Sequence, residues 1–394
     1  MFFPENTEIL GMQLVEFKDF LKAYSSRGIA ILEDDVGSLE RSVLVSPAQT
    51  ITPERVNELL TLSGGIVSVA IGPTRAHEFA LRPMEAPRGA FRSRDFVSQL
   101  GTCTSVEARE DVGSGISTKD RSTTISILGE PKPNHRKLVS PGHIFPVQVR
   151  EGGVLVRAAL AEAALDITRS AGFTDAAAYL DYLGPNGEFL SSNDAKKSAK
   201  AYNIPIVRLS DVILYRLETE TLVTRVADTV IPSRYGGELR SVVYKSNLYD
   251  GEHLALIKGE ISPNEAVLTR VQQEFTFSDV FGGSAPPSRA VIQSCLKAIG
   301  ESQSGVFVYL RRPESGHLSR QVDSSLAPQG PRPAAMMREY GLGAQILRDL
   351  GVRKINLLAG RQLKMVGLPT FGIEIVSLTP LPTTEREQEK VKLS

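Results

Sequence analysis

The sequence predicts an α/β protein of two domains. Three observations lead there: a length of 394 residues, enough for two separate cores; short apolar runs that alternate with helix-period segments through the first half; and a second half in which strand-like runs predominate between turn signals. Leu14, Phe17, Leu21 and Tyr24 recur at three- and four-residue spacing ahead of Gly28, which predicts an amphipathic opening helix with a glycine stop. Residues 29–32 and 42–45 are strand-like. Thr52-Pro53-Glu54 then supplies an N-cap, a first-turn proline and an acidic first turn for a helix through Leu62, ended by Gly64-Gly65, and a strand follows at 66–71. Residues 82–137 are rich in Arg, Ser, Pro and Gly, so long loops are expected to carry most of that section, and loops of this size usually serve a site. A helix is expected at 163–172, a strand at 178–183, a polar-faced helix at 194–202, and a last helix capped by Ser210 and running to about Leu217. The first domain is thus 1–218.

The second domain, 219–382, opens with strand-like stretches at 222–231, 239–244 and 253–258 and continues with 266–271, a helix at 289–299 and a β-rich 305–310. Residues 315–333 are broken by Gly and Pro and admit no regular element; a helix at 334–350 ends at Gly351, and a strand follows at 355–358. The charged tail, 383–394, lacks apolar periodicity and is expected to be disordered. There is no internal repeat.

Composition narrows the function. With 45 Lys+Arg against 45 Asp+Glu, no net field draws the chain to nucleic acid or to an anionic membrane. The two cysteines, Cys103 and Cys295, are far apart and have no Cys neighbour at ligand spacing, which excludes a cysteine-rich zinc site and a disulfide framework. No run of about 18 apolar residues occurs, and Met1-Phe2-Phe3-Pro4-Glu5 lacks the basic-then-apolar order of a signal peptide, so a soluble, cytoplasmic protein is expected.

Three local patterns carry chemistry: Gly115-Ile116-Ser117-Thr118-Lys119-Asp120-Arg121-Ser122-Thr123-Thr124, Pro141-Gly142-His143-Ile144-Phe145-Pro146, and Gly152-Gly153-Val154-Leu155-Val156-Arg157. The first joins a glycine turn to hydroxyls, an arginine and helix-start amides, the chemistry that holds a phosphate, although any capped helix start uses the same hydroxyls. A lone histidine such as His143 is more often packed or hydrogen-bonded than catalytic.

Together and in this order, preceded by Asp34-Asp35 and followed by Glu162-Ala163 and Asp166, these patterns resemble 3,4-dihydroxy-2-butanone 4-phosphate synthase over about residues 12–217. Such enzymes are homodimers of an α/β fold that use Mg2+ to rearrange ribulose 5-phosphate and expel formate. The resemblance implies substrate-binding roles for Asp34, Ser117, Asp120, Arg121, Thr124, Arg157 and Glu162, and acid/base roles for His143 and for Asp181, which matches a family Glu one methylene longer. The departures fall on the metal. Against the family's D-D-E-D-R-E-N-E-G-D, residues 34–43 place Ser38 at the substrate Arg, Leu39 at the metal-binding Glu and Val43 at the last Asp; against R-x-G-H-T-E-A, Leu160 replaces the metal-binding His. A leucine offers Mg2+ no donor.

Glu252-His253-Leu254-Ala255-Leu256, Val267-Leu268-Thr269-Arg270-Val271, Arg338-Glu339-Tyr340-Gly341 and residues 343–352 resemble GTP cyclohydrolase II over about 222–381, which implies an α+β fold. The order is that of the fused riboflavin-pathway protein. The family's three zinc cysteines correspond here to Phe275, Pro286 and Ser288, its general-base Asp to Met336, and its Arg two residues on to Arg338; Lys364 is also kept. Without thiolates the Lewis acid and its activated water are not expected.

No metal and no other cofactor is therefore expected. The expectation is a binding, scaffolding or regulatory pseudoenzyme, a homodimer or the partner of an active paralogue, with a phosphorylated sugar as the candidate ligand and neither nucleic acid nor membrane as partner. Two alternatives stand beside it: a metal-independent enzyme of a specialised pathway that uses His143 and Asp181, and an active dihydroxybutanone phosphate synthase.

Overall fold

The computed structural model describes residues 14–37, 40–84, 101–282, 288–311, 318, 333–359 and 371–381. It divides between Tyr215 and Arg216 into two compact units. Among the described residues, no helix is long and apolar enough to cross a membrane. Ser38, Leu39, Pro286, Lys364, residues 319–332 and the tail 383–394 lie outside the described set, as does the side chain of Met336.

The first unit runs α1 (Leu14–Arg27), β1 (Ala30–Asp34), β2 (Arg41–Pro47), α2 (Pro53–Ser63), β3 (Ser68–Ile71), α3 (Pro73–Glu78), β4 (Val106–Ala108), α4 (Thr118–Gly129), β5 (Leu138–Gln148), α5 (Leu160–Ser170), β6 (Ala176–Asp181), α6 (Ser192–Tyr202), β7 (Ile206–Arg208) and most of α7 (Leu209–Thr219), whose residues from Arg216 on belong to the second unit. Its sheet has the order β4-β5-β3-β6-β2-β1-β7 and is mixed: β3 pairs parallel with β5 and antiparallel with β6, and β2 pairs antiparallel with β1 and β6. Residues 30–32 of β1 and 69–71 of β3 are apolar and buried because helices cover them, α5 packing on β1, β2, β3 and β6, and α4 on β3 to β6. The predicted caps of α2 are in place: Thr52 Oγ1 accepts the Arg55 N–H at 3.2 Å, Pro53 opens the helix, and Gly64 closes it at φ 68°.

Several expected elements are displaced. Most of 82–137 was expected to be loop, yet it holds β4 and the three-turn α4, whose buried face is built on Ser122, Thr124, Ile125 and Leu128 rather than on an apolar stripe. The helix expected at 163–172 begins at Leu160, where Ala159 is extended and offers no side-chain cap. The strand expected at 178–183 is 176–181, and that at 66–71 starts at Ser68, since Ile66 is 72% exposed. Ser210 is not the cap of α7; it is the second residue of that helix, and its N–H donates to Asp35 Oδ1 at 3.0 Å.

The second unit comprises β8 (Val223–Ser233), β9 (Gly237–Ser246), β10 (Glu252–Lys258), β11 (Ala266–Gln273), α8 (Thr276–Phe281), α9 (Ser288–Glu301), β12 (Gly305–Leu310), α10 (Pro333–Asp349), β13 (Lys354–Ala359) and β14 (Glu374–Pro380). Its sheet order is β14-β13-β11-β12-β10-β9-β8, antiparallel from β8 through β12 and parallel from β12 through β14. α9 packs on β9, β11 and β12, burying Cys295 and Ile299 against Leu239, Phe307 and Leu358. Pro333, expected to lie in an irregular stretch, opens α10, the first-turn position where a missing N–H costs nothing.

Candidate active site

Strand register gathers the candidate residues of the first unit on one face of its sheet. Ser68 is flanked by Phe145 on β5 and Tyr179 on β6. His143 and Asp181 each lie two residues further toward the same end, so their side chains share a face roughly two strand spacings, about 10 Å, apart. On the far side of β6, Val43 is the register partner of Asp181, and on the next pair Arg41 faces Asp34.

His143 Nδ1 lies 2.7 Å from Glu107 Oε2. Glu107, on β4, is also where the phosphate-type turn docks. Thr124 Oγ1 lies 3.4 Å from Glu107 Oε1 and accepts the Ala108 N–H at 3.0 Å, and Gly115, at φ 79°, sits where a Cβ would lie 2.0 Å from the Glu107 carboxylate, so any other residue there would strain the turn and displace Glu107. Ser117 caps α4 by accepting the Asp120 N–H at 3.1 Å, while Asp120 returns to accept the Gly115 N–H at 3.0 Å. Arg121 Nε is buried without a hydrogen-bond partner among the described residues.

α5 contributes its first turn. Leu160 is buried; two residues on, Glu162 is fully buried, with Oε1 2.5 Å from an Arg157 nitrogen and accepting the Arg150 N–H at 3.1 Å. Burial pushes the Glu162 carboxyl above its ordinary range, against the pull of Arg157. Its Oε2, and Arg157 Nε, have no hydrogen-bond partner among the described residues. Asp166, one turn further along α5, instead holds the Val154 N–H at 2.9 Å and so fixes the glycine turn that precedes Arg157.

Asp181 is tied to Arg41, whose guanidinium lies 4.8 Å from the centre of the Phe189 ring. Tyr179, on the same face of β6, has its phenol pushed up by burial and by the charges of Asp181 and Glu162. Asp34 accepts the N–H groups of Val36 at 3.2 Å and Gly37 at 2.7 Å, and burial raises its carboxyl. Glu107, Arg41 and Tyr179 were not anticipated from the sequence. Arg41 carried a signal, a cation where the related loop has a Glu; Glu107 and Tyr179 carried none, because their neighbours come from strand register.

These donors do not fit a hydrated divalent cation. Leu160 stands where an imidazole is needed, Asp34 Oδ1 already holds two N–H groups of its own turn, Arg41 puts a positive charge beside Asp181, and among the described residues no three His, Cys, Asp or Glu side chains converge. Nor does the second unit fit zinc. Phe275 is half-buried, Ser288 is buried and bonded to Asp279, and Cys295 lies in the core. Of its basic candidates, Arg270 reaches Leu358 O at 2.9 Å and Gln272 Oε1 at 2.7 Å, and Arg338 is half-buried on α10. His253 is buried between Tyr249 and the Arg311 N–H, and burial lowers its pKa to about 4.

Known proteins match over both units. The family model of 3,4-dihydroxy-2-butanone 4-phosphate synthase matches residues 18–215, and that of GTP cyclohydrolase II matches 224–380. The riboflavin biosynthesis protein RibBA of Aquifex aeolicus (strain VF5) is 32% identical over 387 residues, covering 93% of this chain and 92% of that protein. The chain belongs to the RibBA family of riboflavin biosynthesis proteins. The Bacillus cereus RibBA (strain ATCC 14579) is likewise 32% identical, over 373 residues with 92% of each chain covered. Among solved structures, RibBX of A. baumannii, described as a two-domain 3,4-dihydroxy-2-butanone 4-phosphate synthase, is similar with a TM-score of 0.73 and 26% identity, covering 93% of this chain and 99% of that one. Both units of the family architecture are thus present, in family order.

Proposed function

We propose that this family member binds a phosphorylated sugar in its first unit and acts through that binding, as a cytoplasmic scaffold or regulator that dimerises or pairs with an active paralogue, rather than through either metal-dependent reaction of the family. The first turn of α5 carries this reading. Leu160 removes the metal's imidazole, while two residues on Glu162 keeps a buried oxygen without a partner beside Arg157. Buried polar atoms are nearly always satisfied, so such an opening is what a ligand-binding site leaves for its ligand. The Ser117 turn and Arg121 supply the chemistry for a phosphate. One observation favours a second reading, metal-independent acid/base chemistry: Glu107 orients the His143 ring, the arrangement a general base needs.

The test is direct. Purified protein with ribulose 5-phosphate should raise the melting temperature in EDTA, because a ligand bound only by the folded state stabilises it, and should release no formate on addition of Mg2+. Formate release at the rate of an active dihydroxybutanone phosphate synthase would overturn the pseudoenzyme. Slow conversion in EDTA that is lost in His143→Ala would select the second reading.

A further inference from the structure

Asp279, on α8, gathers three hydrogen bonds from three separate parts of the second unit. Its Oδ2 accepts the backbone N–H of Phe275 at 2.8 Å and the hydroxyl of Tyr309 on β12 at 2.6 Å, and its Oδ1 accepts the hydroxyl of Ser288, the first residue of α9. The Ser288 N–H donates in turn to Ser278 Oγ at 3.2 Å. Helix capping accounts for the Phe275 bond alone, since the other two donors lie 9 and 30 residues away. Burial and the bond to Asp279 push the Tyr309 phenol above its ordinary value.

Phe275 and Ser288 are two of the three positions at which the GTP cyclohydrolase II resemblance places zinc-binding cysteines, and both converge on this one carboxylate. We infer that Asp279 is the staple that fixes the end of β11, α8 and the start of α9 to β12, at the place where the resemblance puts a zinc centre, so that this half of the molecule holds its shape without a metal there. The chemistry is adequate: an ionised carboxylate accepts several charge-assisted bonds at once and so ties donors from separate elements to one centre. A hydroxyl and a backbone N–H are donors that a carboxylate can hold, whereas zinc takes the electron pairs of thiolates and imidazoles.

Thermal unfolding of the full chain tests this through a mutant cycle. Asp279→Ala should lower the melting temperature by about 5 °C, given the strength of charged hydrogen bonds in a chain of this size, with smaller losses for Ser288→Ala and Tyr309→Phe. In the Asp279→Ala background, neither of those two changes should lower it further. The wild-type protein should be purified without stoichiometric zinc and should melt at the same temperature in EDTA and in ZnCl2. Full additivity of the three changes, or zinc bound one to one, overturns the inference. Should Asp279→Ala not accumulate as folded protein, hydrogen exchange of Tyr309→Phe decides: faster exchange at residues 275–279 and 288–292 supports the staple, and unchanged exchange refutes it.

Discussion

The two units differ in what became of their polar atoms. In the first, Arg121 Nε, Arg157 Nε and Glu162 Oε2 are buried with no hydrogen-bond partner among the described residues; in the second, Asp279, Ser288, Phe275 N and Tyr309 satisfy one another, although Gln273 Nε2 is buried with no partner among the described residues. Unpaired buried polar groups are costly, so a site that no longer binds anything is expected to close on itself. By that criterion the cluster around Asp279 is closed and the one around Glu162 is open, a distinction that residue identities alone do not make: Leu160 and Phe275 are equally apolar.

The largest expected effect breaks the comparison at its open end. Glu162→Ala leaves the Arg157 guanidinium largely buried and uncompensated, and should cost the first unit about 3 to 5 kcal/mol in urea unfolding. It should also abolish the stabilisation given by ribulose 5-phosphate. If Glu162→Ala were instead neutral, the buried pair would carry no net stability, and the open oxygen would have no bearing on a ligand.

How much of this could be read beforehand depended on whether the information was local. Helix α2 was readable residue by residue, because Thr52, Pro53 and Gly64 each satisfy a backbone requirement within one turn. Of helix α4 only the start is legible, in its helix-start amides, because its Ser, Thr, Lys and Asp residues hide the period and its buried face relies on hydroxyls bonded to its own carbonyls. β5 carries Pro141, Gly142 and Pro146, residues that argue against a strand, and so it was seen only as a motif around His143. β14 exposes most of its residues and gives no burial alternation to detect. The neighbours of the site residues, Glu107 beside His143 and Arg41 beside Asp181, are set by pairing between strands far apart in sequence, which no local pattern encodes.

Acid should sharpen the contrast between the units. His253 is buried and neutral in the fold, its pKa lowered to about 4 from 6.5, so the unfolded chain takes up a proton first as pH falls. Its contribution to the second unit is therefore complete above 6.5 and is lost between 6.5 and about 4, at up to about 1.4 kcal/mol per pH unit. Asp349, whose carboxyl is lowered on balance by its bonds to Tyr244 and Arg225 against burial, acts in the same direction. Glu162 has the opposite sign: its raised carboxyl contributes fully below the ordinary value of 4.5, and that contribution is lost as pH rises through the folded value. Between pH 7 and 5 the second unit should lose protection from hydrogen exchange while the first does not, and His253→Gln should flatten the slope of the second. Equal loss in both units with an unchanged slope in His253→Gln would remove the histidine from the account.

The smallest effects separate a phosphate turn from a merely capped helix. Ser117 Oγ holds the Asp120 N–H, so Ser117→Ala should cost about 1 kcal/mol whether or not any ligand binds there. Ser122 and Thr123 both direct their hydroxyls to the Lys119 carbonyl, at 2.8 and 3.0 Å, and replacement of either by Ala should cost at most about 1 kcal/mol, the worth of one hydrogen bond. What distinguishes the two roles is the ligand. If the turn holds a phosphate, Ser117→Ala should weaken the response to ribulose 5-phosphate by more than its loss of stability explains, because the cap and the anion share one set of helix-start amides. The Ser122 and Thr123 variants should leave that response unchanged. A turn that is only a cap gives three variants with the same ligand response as the parent, and the opening at Glu162 would then belong to a ligand without a phosphate.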